Sequence, residues 1–64
     1  MKILMKAARA NAELTQGEVA KRMGKSQNTV MAWETHKIRP RTDELQEYCD
    51  ICGWPIELIR FPES

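Results

Sequence analysis

Apolar residues in this chain recur at intervals of three and four, in short bursts separated by Gly, Pro, Ser and Thr. That period marks helices with one buried face. Met5 and Ala8 point inward from a first helix read from about Lys2 to Ala10, with Leu4 flanking them. Val19, Ala20 and Met23 form the apolar stripe of a second helix. Thr15 is placed to cap it, because Glu18 follows at capping-box spacing, and Gly24 ends it where a left-handed residue is cheapest. Ser26 can cap a third helix, in which Val30 and Trp33 point inward together. Thr35 to Arg41 reads as a loop, with Pro40 holding the approach to the next element extended. Thr42 is the expected cap of a fourth helix whose first turn carries Asp43 and Glu44. Leu45, Tyr48, Cys49 and Cys52 keep helical spacing along it, and Gly53 stops it. Pro55 can start a short fifth helix through Ile56, Leu58 and Ile59, ended by Phe61 and Pro62. No sustained alternation reads as a strand. The expected fold is therefore all-α, a compact bundle of about five short helices forming one domain over residues 1–64.

Two of these helices, joined by a three-residue turn around Gly24, leave Gln27, Asn28, Met31, Ala32 and Thr35 on a face that the apolar residues do not use. Ala20 is small where two helices crossing at a tight turn must approach. Gln27 and Asn28 stand at the start of their helix, and a side-chain amide matches N6 and N7 of adenine bidentately. Charge distribution adds to this. Net charge is only +1, but residues 1–41 carry nine Lys and Arg against three acids, a net of +6, while residues 42–64 carry one Arg against six acids, a net of −5. One end suits phosphate and the other suits water or another protein.

Sixty-four residues bury only ~60% of their unfolded surface, so the core should be marginal and helped by dimerisation or by a ligand. A hydrophobic content of 42% with 6% aromatics fits a small helical domain. The apolar run Ile3-Leu4-Met5 is interrupted by Lys6 and Arg9, so neither export nor a membrane span is expected. Cys49 and Cys52 have the spacing of a metal or redox pair, yet a zinc site needs four ligands and only His36 and carboxylates remain to supply them. A thioredoxin-type pair would need a preceding strand. Core packing is the expected role of both cysteines, and no metal or cofactor is expected. His36 has no second His and no positioned nucleophile, so no catalytic residue is assigned. Trp33, three residues from Val30, is read as core rather than as a base-stacking residue.

Arg9, Thr15-Gln16, Val19-Ala20, Gly24, Ser26-Gln27, Val30, Trp33-Glu34, Pro40, Leu45 and Gly53 form an ordered set. At these spacings the chain resembles the phage repressor and Cro-like helix-turn-helix family, from about Met5 to Ile59. The resemblance implies a DNA-binding protein whose third helix enters the major groove. It implies base contacts from the first, second and sixth residues of that helix, Gln27, Asn28 and Ala32, with Thr29 meeting a thymine methyl or a phosphate. It also implies that Gln16 holds a phosphate and braces Gln27, and that Arg9 pairs with Glu34. Ser26, Thr35, Lys37, Arg39 and Arg41 join Gln16 as expected phosphate contacts. The chain departs from the family pattern at Glu13 and at His36, where glycine is usual, and at Lys25, where an apolar residue is usual. For the first turn, either Asn11 takes the left-handed conformation or the turn differs.

The expected function is a sequence-specific transcriptional regulator of Cro-like or small phage-repressor type, acting on operator DNA as a homodimer in the cytoplasm, without a small-molecule ligand. The expectation includes no effector domain, for which this length leaves no room unless the chain is a fragment of something longer. An antitoxin that binds its promoter and a small protein partner is the alternative, and co-purification of such a partner separates the two. The dimer surface is expected at Trp54, Pro55, Ile56, Ile59 and Phe61, with help from the loop near Ile38. The competing reading is that Trp54 and Ile59 close the core and only Phe61 is left over.

Overall fold

A computed structural model describes residues 1–62. The order is α1 (Met5–Asn11), α2 (Gln16–Met23), α3 (Gln27–Glu34), α4 (Thr42–Cys52) and a single 3-10 turn, Ile56–Leu58. Among the described residues the all-α class holds, with four α-helices rather than about five. The loss of the fifth helix and the start of α1 at Met5 rather than Lys2 have one cause, at the chain ends. Ile3 pairs with Ile59 in a parallel bridge: Ile3 N donates to Leu58 O at 2.9 Å, and Arg60 N donates to Ile3 O at 2.9 Å. Pairing of this kind needs extended backbone, so α1 cannot start at Lys2 and begins at Met5 after an extended Leu4. For the same reason the segment after Pro55 completes only one turn before Ile59 returns to φ −95°, ψ 134°.

Helix ends follow the side chains that satisfy their free N–H and C=O groups. Thr15 Oγ1 accepts from Glu18 N at 3.1 Å, and Glu18 Oε1 accepts from Thr15 N at 2.9 Å, a complete capping box. Gly24 closes α2 at φ 69°, and Lys25 N reaches back to Ala20 O at 2.9 Å. Ser26 Oγ accepts from Thr29 N at 3.2 Å and so starts α3. Arg41, not Thr42, is the cap of α4. Glu44 Oε1 accepts from Arg41 N at 2.9 Å, and a guanidinium has no acceptor to return the favour to a backbone N–H. Gly53 ends α4 at φ 67°.

The core joins Met5 and Ala8 of α1, Val19, Ala20 and Met23 of α2, Val30 and Trp33 of α3, Tyr48, Cys49 and Cys52 of α4, and Ile59. Cys49 and Cys52 are free thiols inside it, and burial pushes the Cys49 thiol up to about 11. Such a thiol is almost wholly protonated at neutral pH, which suits packing and opposes nucleophilic or metal-binding use. Trp54 is half-buried against this core, its indole N–H donating to Leu58 O at 3.1 Å. Of the residues expected at a dimer surface, Ile59 is only 8% exposed within one chain. It closes the bottom of the bundle and is not surface.

Candidate nucleic-acid interface

The turn between α2 and α3 sets the angle of the third helix. With Val30 0% and Trp33 2% exposed, α3 is held by its inner side, and Gln27, Asn28, Met31 and Thr35 are left in solvent. Ala32 and Thr29 are half-buried. Gln27 folds back toward α2, so that a Cβ placed on Gly17 would lie 3.6 Å from Gln27 Oε1. Gly17 therefore gives the Gln27 amide room beside the start of α2. Asn28, Met31, Ala32, Thr35 and Lys37 line a shallow depression of about 260 Å³ on the same face.

Not every expected phosphate contact is free to donate. Thr35 Oγ1 gives its proton to Met31 O at 2.8 Å, and Ser26 Oγ shares a hydrogen bond with Thr29 Oγ1 at 2.9 Å. Arg41 Nε lies 3.5 Å from Asp43 Oδ1 and 3.6 Å from Glu44 Oε1, so local carboxylates already face it. Lys37 and Arg39 are exposed on the loop after α3. Lys37 N and Ile38 N both donate to Ala32 O, at 3.0 and 3.3 Å, which folds the loop back over the end of the helix. His36 holds φ 66° within it. The Arg39 guanidinium sits 4.1 Å over the Phe61 ring, and the His36 ring meets the same ring edge-on at 6.5 Å. Phe61, expected at a dimer surface, is thus tied to this loop.

Behind α3 a polar network fixes its far end. Arg9 Nε donates to Glu34 Oε2 at 2.7 Å and Arg9 Nη2 to Glu34 Oε1 at 2.9 Å, a bidentate pair with the Glu34 side chain 1% exposed. Arg9 Nη1 also donates to Leu14 O at 2.8 Å. Tyr48 Oη donates to Glu34 Oε2 at 2.7 Å and lies 2.9 Å from Met5 O. Gln16 Nε2 donates to Glu34 Oε1 at 3.1 Å. Burial pushes the Glu34 carboxyl up, but the hydrogen bonds from Arg9, Tyr48 and Gln16 outweigh it and leave the carboxyl below its ordinary range. The phenol of Tyr48 is raised by burial first and by Glu34 next, and so stays a donor. Gln16 turns its amide toward Glu34, whereas the family resemblance implied that it braces Gln27 and holds a phosphate. Tyr48 was placed in the core by its spacing, but nothing local in the sequence foretold its bond to a carboxylate on another helix.

A short α2, a left-handed Gly24, a capped α3 with an exposed leading edge, and an Arg–Glu pair behind it form a helix-turn-helix. The family model described as Helix-turn-helix matches residues 5–59. The chain belongs to the helix-turn-helix family, of the Cro and C1 type. As a member it is a DNA-binding regulator of transcription in the general sense, and the family is not typically one of enzymes. No curated protein and no solved structure matches the chain. Among the described residues no helix is long and apolar enough to cross a membrane, and no group of three or more His, Cys, Asp or Glu side chains could hold a metal ion.

Proposed function

We propose that this helix-turn-helix protein is a small Cro-like or phage-type repressor that reads operator half-sites as a homodimer, with α3 in the major groove. The observation that carries this is the exposed amide pair Gln27 and Asn28 at the leading end of a helix whose opposite side is buried. In the major groove the N-terminal part of such a helix meets base edges first. Gln27 and Asn28 supply bidentate contacts to adenine, each discriminating by ~1–3 kcal/mol, with Ala32 and Thr29 against the same groove. Lys37 and Arg39, exposed on the loop after α3, face the backbone beside the groove, whereas Gln16, Ser26, Thr35 and Arg41 reach phosphate only by exchanging the partners they hold within the chain. The single domain spans residues 1–64.

Selection from a random duplex library tests the reading. Gln27→Ala or Asn28→Ala should relax the preference at one or two adenine-containing positions. If both variants select the parent's sites, the base assignment is wrong. Phosphate contacts act on every sequence alike, so Lys37→Ala and Arg39→Ala should each flatten the dependence of log affinity on log salt by ~0.9. An unchanged slope in the double variant removes the loop from the interface.

A further inference from the structure

We infer that Met31 is a specificity-determining residue of the proposed interface, taking the 5-methyl group of a thymine in the major groove; this rests on the reading of α3 as the base-reading helix. Met31 is 41% exposed on the face that carries Gln27 and Asn28. It lines the depression walled by Asn28, Ala32, Thr35 and Lys37. An apolar protein partner seated there would strand the Asn28 amide and the Lys37 ammonium group. A DNA groove would not, because it offers base edges, phosphates and one apolar group together. Thymine is the base that presents an apolar group in the major groove. The depression is continuous with the proposed base contacts at Asn28 and Ala32, which fixes the occupant as the same duplex.

Register follows from helix geometry. Met31 lies three residues after Asn28, ~4.5 Å along the axis at ~1.5 Å per residue. Base pairs are stacked ~3.4 Å apart, so the thymine should stand one or two steps from the base read by Asn28. An unbranched thioether adapts to a methyl group whose exact position varies with local groove shape.

Deoxyuridine differs from thymidine only by that methyl group and keeps every hydrogen bond of the pair. The full chain is first used to recover preferred duplexes from a random library, and each thymine is then replaced in turn by uracil. At one thymine per half-site the parent should lose about fourfold in affinity, the equivalent of exposing one methyl-sized group. Met31→Ala should bind the thymine and uracil duplexes equally at that position, and Met31→Leu should restore the preference. Because Met31 is exposed, Met31→Ala should melt as the parent does, which separates a lost contact from a lost fold. The inference is overturned if the parent is indifferent to uracil at every thymine, or if Met31→Ala keeps the parent's pattern of sensitivity. A parent that selects no DNA sequence overturns the base-reading function itself, and the inference with it.

Discussion

At Glu13 and His36, φ is 60° and 66°, angles that a Cβ makes costly. Glu13 itself turns the chain out of α1, while Asn11, the residue better suited to such angles, stays inside the helix. The position of the turn was visible in the sequence as a departure from the family's glycine, and the two alternatives left open there, a left-handed Asn11 or a different turn, both give way to Glu13 taking the glycine's angle itself. Removing the strain at an exposed left-handed residue recovers ~1–2 kcal/mol, and the extra freedom of glycine in the unfolded chain takes back ~0.4–1. Glu13→Gly should therefore stabilise the domain by ~0.5–1 kcal/mol and raise Tm by ~4 °C, measured by thermal melting. A lower Tm would show that Glu13 makes a compensating interaction. His36→Gly should gain less, since it loses the edge contact with Phe61. Gly24 and Gly53, in contrast, could be read directly, because glycine at those places has no better use than a left-handed helix end.

Among the helices, the joints that depend on adjacent residues were legible and the joints that depend on distant ones were not. The capping box of α2 and the cap of α3 follow from spacings of three residues. Arg9 and Glu34 are 25 residues apart, and only the family resemblance paired them. Tyr48 and Gln16 joined them unannounced, because a buried carboxylate with spare lone pairs recruits whatever donors the packing brings near. The network ties α1, α2 and α4 to the last residue of α3, so its acid sensitivity becomes that of α3. The Glu34 carboxyl is held below its ordinary value in the folded chain. Its contribution to stability is thus fully present above the unfolded pKa of ~4.3 and is lost as pH falls through the lower folded value. Tyr48→Phe removes the one phenolic proton that the carboxylate accepts and leaves a buried charge one hydrogen bond short. It should cost ~1–3 kcal/mol at pH 7 and move acid unfolding to higher pH, followed by circular dichroism between pH 2 and 7. Gln16→Ala, which removes a less buried donor, should shift the acid transition in the same direction by less. An acid midpoint unmoved in both variants would mean that another group governs acid unfolding.

For the molecule as a whole, the division between a cationic first part and an acidic second part was legible from charge alone, whereas the closing of the ends was not. Single-residue pairing between Ile3 and Ile59 leaves no alternating pattern to read. It takes Ile59 out of the surface that was expected to carry the dimer and leaves a different set exposed. Ile38 is 60% exposed, Pro55 is exposed, and Trp54, Ile56 and Phe61 are half-buried. Ile38, with His36, Arg39, Phe61 and Pro62, lines an open hollow of about 190 Å³ at the loop after α3, proposed above to face phosphate. A second copy seated at this surface would sit close to DNA. One short helix reads only about four base pairs, too few to distinguish an operator from the competing sites of a genome, so two linked readers are needed. Half-sites ~34–36 Å apart place both third helices on one side of the duplex. We therefore expect two chains on a palindromic duplex and cooperative binding that exceeds the affinity for an isolated half-site. Ile38→Ser should leave half-site affinity unchanged and weaken binding to the palindrome by ~tenfold, since an uncharged replacement alters the contact between copies without altering attraction to phosphate. Sedimentation of the complex gives the stoichiometry and titration of both duplexes gives the cooperativity. A parent that binds the palindrome strictly as one chain per duplex would exclude the dimer, and equal loss on both duplexes in Ile38→Ser would place Ile38 against DNA instead of against a second copy.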